Sequence, residues 1–443
     1  MEATQQALCV NELNPLVGDK EPIIARAFNS GFAKAHDTYN AISLASDGNI
    51  YYVLSSDKID TGGKVYCYHT ASEEIEYLGD LTEICGEGQM SAISQGKSHV
   101  RFYEMNGKLF FSTHVGYYEL IDGMERMPVT APEGFRLYRG GHIISFDLKT
   151  RTFEDLVIAP HGEGFVSMNM DVKRGQIYGI SWPRGYFLHY DVDRRVLKNV
   201  GKISSEGEAG IPGTDFRSLC RSLFVDPRDG TCYFSTAEGS IYAYNPVAGN
   251  IGLVNGVDLK LDYFGKYDYT RPGSMGYNWR KIFWYEKDQV AYGVHGNSGY
   301  LFRFDPDKKT VEIVERITSL PSKASGMFDQ FSYGYLGFQL GPDKETIYYL
   351  TGGPIYIDGK RIKGTDEIAK GAARGLENLH LITYHISSAK YQDHGPIFYE
   401  DGQRPVYVNS IAVGHDGYIY TLARVTEDDN TRTDLVRFKN PIL

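Results

Sequence analysis

H-V-R-F-Y-E-M-N-G-K-L-F-F-S-T-H, residues 99–114, reads as a β-hairpin. Val100 and Phe102 on one side, and Leu109, Phe110 and Phe111 on the other, are strand formers that flank Asn106-Gly107, a strong two-residue turn signal. A hairpin closed at one end brings its far ends together. Those ends are His99 and His114, so two imidazoles, each with an ordinary pKa near ~6.5, are expected to meet. Such a pair suits proton transfer at neutral pH; two histidines hydrogen-bonded inside a core would show the same spacing.

The hairpin is one of seven similar segments. Each has a strand, a turn with Gly or Asp, a strand rich in Tyr or Phe, and a third strand ending in an aromatic residue and often Asp or Asn. The first is A-I-S-L-A-S-D-G-N-I-Y-Y-V-L with G-K-V-Y-C-Y-H; the fourth is S-L-F-V-D-P-R-D-G-T-C-Y-F-S-T with G-S-I-Y-A-Y-N-P; the seventh is S-I-A-V-G-H-D-G-Y-I-Y-T-L-A with D-L-V-R-F-K. Seven four-stranded units of about 45–60 residues, without long helical patterns, imply an all-β, seven-bladed β-propeller. The last unit stops after its third strand. The strand-like run Pro22 to Phe28 is expected to supply the missing one, closing the ring and removing its open edges. Residues 1–443 then form one domain, with 1–35 as an N-terminal segment holding the ring-closing strand. Insertions at 117–140, 204–216, 257–279 and 355–378 are expected as loops, and Asp366 to Glu377 as a short helix or a surface loop.

Composition narrows the partners. With 34 Tyr and 49 Gly among 443 residues, strands and turns are favoured over helices. A net charge of -10 speaks against nucleic acid or an anionic membrane as partner, so an anionic ligand needs a local positive patch. No apolar run reaches the ~18 to 20 residues of a membrane span, and no basic segment followed by an apolar one marks a signal peptide. The five cysteines (Cys9, Cys67, Cys85, Cys220, Cys232) cannot all pair, and none forms C-x-x-C.

Aligning the second strands on their aromatic pairs puts Ser55, Trp182, Ala237, His295, Gly352 and Arg424 in the position of His114. The starts of the inner strands give Asn40, His99, Ser167, Arg221, Arg280 and Asn409. Next to these lie Arg184 and Tyr186 in W-P-R-G-Y, Arg217 in R-S-L-C-R, and Asn297 in H-G-N. Trp182 can stack on a pyranose or plug the core. A glycoside hydrolase would want two matched carboxylates, and Glu238 and Asp215 do not make such a pair. No G-x-S-x-G elbow is present. His99, His114 and His295 could hold Zn or Mn, though no short ligand spacing supports it. β-Elimination on a uronic acid fits the inventory best, with histidine or tyrosine moving protons and arginine neutralising the carboxylate.

The runs G-K-S-H-V-R-F-Y-E-M-N-G-K-L-F-F-S-T-H, F-E-D-L, Y-G-I-S-W-P-R-G-Y-F-L-H-Y-D and R-S-L-F-V-D-P-R-D-G resemble the seven-bladed propeller polysaccharide lyases, the ulvan and rhamnose–glucuronate lyases. The resemblance implies a lyase that cleaves a glucuronate-containing, rhamnose-linked acidic polysaccharide or oligosaccharide, in an extracellular or periplasmic setting. It carries the catalytic histidine pair onto His99 and His114. The arginine falls on Arg184, with Arg221 as rival. The tyrosine falls on Tyr186, with Tyr178 and Trp182 as the other choices. Trp182, Arg217, Arg221, His295, Asn297 and Arg424 are expected to bind substrate. No cofactor is required, and a bound Ca or Zn ion stays open. The rival readings are a non-catalytic glycan-binding propeller and a metal-dependent lyase or lactonase.

Overall fold

The computed structural model describes residues 22–443 except 122–123, 274, 325–335, 355, 358–359, 362–376, 406–407 and 428–429. Apart from Glu377, the expected helix at 366–377 lies outside them; Glu377 begins the strand Glu377–His385. The described residues fall into two compact units: Tyr39–Arg316, and the residues on either side of it.

The unit Tyr39–Arg316 holds five antiparallel four-stranded sheets, each made from one consecutive stretch of chain. The first runs through Ile42–Leu44, Ile50–Leu54, Lys64–His69 and Glu74–Asp80. The second uses Tyr103–Met105, Lys108–Ser112, His142–Asp147 and Thr152–Ile158. The third begins at Gly164, the fourth at Phe224 and the fifth at Trp279. The other unit holds one eight-stranded sheet. In it Ile23–Ala27 lies antiparallel to Asn430–Lys439 and parallel to Lys390–Tyr399, so the run expected to complete the last unit does pair with its third strand. Among the described residues no helix is long and apolar enough to cross a membrane.

Burial follows strand order. All of Ile50–Leu54 is buried, whereas Glu74–Asp80, Thr152–Ile158 and Val196–Lys202 have no buried residue. Second strands therefore read as continuous apolar runs and fourth strands as mixed ones. Each fully buried aliphatic or aromatic side chain contributes about 1.5–3 kcal/mol. In the second to fifth sheets the Asp or Asn that ends the third strand caps the next turn. Asp147, Asp191, Asn245 and Asp305 accept hydrogen bonds from main-chain N–H groups two or three residues on. Each such turn then passes through a residue of positive φ, namely Arg151, Arg195, Gly249 and Lys309.

The hairpin forms around Asn106 (φ 53°) and Gly107 (φ 73°), the left-handed pair that a two-residue turn requires. Its register pairs Tyr103 with Phe110 and Met105 with Lys108. Continued, that register would set His99 opposite His114, but the chain leaves the ladder and Lys97 bridges His114 instead.

His142 buttresses the second sheet. Its Nδ1 lies 2.9 Å from Asp155 and its Nε2 3.1 Å from buried Glu87. The same spacing recurs in the other unit, where buried His380 meets Asp393 at 3.0 Å. Burial alone would lower the His142 pKa, but the two carboxylates outweigh it and raise it. A raised folded pKa makes this stabilisation full below the unfolded value near ~6.5 and lost as pH rises through the folded one. His142→Ala should cost about 1–3 kcal/mol in urea unfolding, with a larger deficit at pH 6 than at pH 8; an equal deficit at both would count against a charged His142.

Candidate functional site

The histidine hairpin ends at the edge of an aromatic ladder. Tyr39 precedes the first sheet and its ring lies 4.4 Å from that of His99. His99 lies 4.5 Å from His114, and His114 lies 5.3 Å from Trp182. Tyr118, the second tyrosine of the 117–140 insertion, closes the ladder edge-on to Trp182 at 5.3 Å. Lys97 threads between them. Its ammonium donates to the Tyr39 hydroxyl at 2.9 Å and sits 4.4 Å and 4.3 Å from the Tyr39 and Tyr118 ring centroids. Only 3% of Lys97 is exposed.

Tight backbone contacts make this possible. A Cβ on Gly164 would come 2.9 Å from His114 Cγ, so only glycine lets the third sheet start against that ring. A Cβ on Gly116 would lie 2.0 Å from Ser56 O, which fixes the chain just after His114.

Both imidazoles are poor bases here. Burial lowers the His99 pKa well below its usual value, helped by His114, Lys97, Arg221 and Arg280. Burial does the same to His114, with Lys97 and Arg221 adding to it, and the contact to Val115 O opposes the shift. His114 Nδ1 faces Val115 O at 2.8 Å, while its buried Nε2 has no hydrogen-bond partner. Lys281 of the fifth sheet donates to Asn40 Oδ1, so the starts of the first and fifth sheets converge. Burial, then Arg280 and Arg101, pushes the Lys281 pKa well down. Basic side chains thus crowd this region, and burial works against charge on Lys281.

Of the residues singled out from the sequence, His99, His114, Trp182 and Arg221 gather here. Tyr186 does not: it opens the strand Tyr186–Asp191 and stacks on His161 at 4.8 Å. His295 is fully buried, stacked on Phe264 at 4.1 Å with Nδ1 on Ser298 Oγ, and burial takes its pKa down to about 3. Asn297 donates to Gly276 O and ties down the 257–279 insertion. Tyr178 is core, its hydroxyl on Gly230 O. Arg424 lies in the other unit, ion-paired with Asp37. The remaining arginines also have carboxylates of their own: Arg184 with Glu163 at 3.6 Å, Arg217 with Glu238 at 2.5 Å, and Arg221 with Glu208 at 2.6 Å. Tyr39, Lys97 and Tyr118 escaped the sequence reading. Lys97, two residues before His99 in an otherwise small and polar run, is the one that alternation could have flagged.

The open option of a metal site from His99, His114 and His295 is not met among the described residues, where His295 packs on Phe264. Among the described residues the group whose ligand atoms lie within 4.8 Å of one another is Cys67, His69 and Glu76. There the Arg151 guanidinium already bonds Glu76 and the Tyr51 hydroxyl, and burial pushes the Cys67 thiol up to about 11.

No family model and no curated protein matches the chain. Solved structures do. One, from a crystal structure of the mitotic checkpoint complex, is 11% identical with a TM-score of 0.51, covering 96% of this chain and 94% of that one. Another, the Myceliophteria thermophila Cps50 (Swd1) β-propeller domain, is 9% identical with a TM-score of 0.51, covering 94% and 99%. The chain is an all-β protein with the β-propeller fold. These neighbours, a checkpoint assembly and a Swd1 propeller domain, overturn the expectation of a glucuronate lyase. The geometry gives a physical reason: each arginine expected to neutralise a uronate is taken up by an internal carboxylate, and Tyr186 stands apart from the histidine pair.

Because His99 and His114 are depressed when folded, the unfolded chain takes up protons first as pH falls below ~6.5, and stability falls with it. His114→Gln should flatten the loss of unfolding free energy between pH 7 and pH 5. An unchanged slope in urea titrations would show that His114 is not held neutral.

Proposed function

We propose that this chain is a recognition module, a β-propeller that holds an oxyanion (carboxylate or phosphate) of a partner protein at the Lys97–His99–His114 cluster. The observation that carries it is the placement of Lys97, bridged to His114, beside the His99–His114 ring pair, where burial first, then His114, Lys97, Arg221 and Arg280, lower the proton affinity of His99. An oxyanion placed there reverses the sign of the local field. Both imidazoles then gain protons, and His114 Nε2 gains the hydrogen-bond partner it lacks. That one fold neighbour comes from a multiprotein complex fits a module that works by assembly.

Binding should therefore be coupled to proton uptake. Inorganic phosphate and citrate serve as probes of the two oxyanion chemistries, titrated calorimetrically in buffers of different ionisation heat near pH 7. Net proton uptake is expected, with affinity falling as salt shortens the Debye length towards ~8 Å and below. Lys97→Gln should weaken binding about tenfold, the scale of one charge-assisted hydrogen bond. Binding of neither probe, or binding without proton uptake, removes the reading.

The same proposal includes the finer architecture. Five four-stranded sheets and one eight-stranded sheet supply strands for seven blades, with Ile23–Ala27 as the outer strand that closes the ring. Ala25 is buried between Tyr399 and Phe438 in register. Ala25→Asp, or deletion of residues 1–28, should lower the melting temperature by several degrees or more. A truncated chain that melts with the full one would show that the strand closes nothing.

A further inference from the structure

Away from the histidine cluster, the 117–140 insertion builds a second concave surface. Its hairpin, Glu119–Ile121 with Met124–Arg126, is anchored through Arg126, which donates to Glu208 O at 2.7 Å and Gly210 O at 3.0 Å. Between this hairpin and the Trp182–Arg184 corner of the third sheet lies a cavity of about 500 Å³. Trp182 and Tyr138 line it together with Ile121, Met127, Val129 and Leu137. That volume lies in the range of ligand pockets.

The surroundings are unusually apolar for a surface in water. Val129 is 85% exposed, Leu120 71% and Ile211, next to Gly210, 65%. Exposed apolar side chains at and near a pocket suit an interaction surface. Charge says what kind. Two carboxylates line the cavity, but both are engaged: Glu163 with Ser181 and Arg184, and Glu208 with Arg221, the Trp182 indole N–H and Leu219 N–H. Arg126 is held by main-chain carbonyls, which carry no formal charge, so its charge is not cancelled as that of Arg184 is by Glu163. The surface left to a visitor is apolar and positive on a chain of net charge -10.

We propose that this surface docks a segment of a partner protein that carries aliphatic or aromatic side chains flanked by carboxylates. Apolar side chains of the segment fill the cavity against Trp182, and a flanking carboxylate meets Arg126. A concave pocket of this volume favours a peptide over a membrane, which meets convex surfaces. The site goes beyond the oxyanion cluster and uses a different cation.

The test is fluorescence polarisation of the full-length protein with a short synthetic peptide alternating Leu and Phe with Asp and Glu. Its counterpart carries Lys at every acidic position, and phosphatidylserine vesicles serve as the membrane probe. The acidic peptide should bind, with the Lys peptide and the vesicles at least tenfold weaker. Ile121→Asp, at a half-exposed position lining the cavity, should weaken the acidic peptide about tenfold with an unchanged melting temperature, and Arg126→Lys, which keeps the charge, should weaken it less than Arg126→Gln. Lys97→Gln should leave it unchanged, which separates this site from the oxyanion cluster. Failure of the acidic peptide to bind, equal binding to Ile121→Asp, equal binding of the Lys peptide, or stronger binding of vesicles would each overturn the proposal. So would a loss in Lys97→Gln as large as in Ile121→Asp.

Discussion

A lysine ammonium almost wholly out of water is the constraint on which the rest of this site depends. Taking Lys97 to 3% exposure removes most of its hydration, a penalty of several kcal/mol unless other groups replace the water. The Tyr39 hydroxyl accepts one hydrogen bond, and the π faces of Tyr39 and Tyr118 supply negative potential on two sides. Both rings are therefore pinned, one before the first sheet and one in the insertion between the second and third strands of the second sheet. With that cation fixed, the adjacent imidazoles cannot easily carry charge as well. The neutrality of His99 and His114 is a consequence of Lys97 and burial together.

The repeat was legible because the physics behind it is local. Continuous apolar second strands, left-handed turn pairs such as Asn106-Gly107, and an Asp or Asn that caps its own turn each leave a mark a few residues long. The meeting of His99 and His114 was legible for the same reason, although the ladder breaks before reaching them and Lys97 takes the bridging position. What could not be read was which side chains answer one another across sheets. Tyr39 reaches His99 from outside any hairpin, and Tyr118 reaches Trp182 from an insertion whose path no periodicity describes. Tyr186 looked close in sequence to Trp182, yet it begins the next strand and stacks on His161.

An inventory of residue types also overstated the chemistry. Histidine, tyrosine and arginine near one set of strand ends suggested uronate elimination, but a guanidinium counts only after its internal partner has been subtracted. Glu163, Glu208, Glu238 and Asp37 each claim an arginine. Three of these partners lie 13 to 21 residues from their arginines and Asp37 lies 387 from Arg424, with no fixed spacing, so the pairing appears only once the chain has folded. What remains after subtraction is positive charge contributed by a buried lysine, whose only mark in the sequence is its place two residues before His99.

Glu208 links the two surfaces of the Tyr39–Arg316 unit. One of its oxygens takes the Trp182 indole N–H at 2.8 Å, and the carboxylate also holds Arg221 and the Leu219 N–H. Trp182 walls the apolar cavity on one side and packs against His114 on the other, while Arg221 is among the cations that lower the proton affinity of His99 and His114. A single carboxylate thus sets both the wall of the cavity and the charge at the histidines. Removing it would release the indole and leave Arg221 without its counter-charge at once, so the two surfaces cannot be altered independently at this residue, whereas Ile121 and Lys97 each belong to one of them alone.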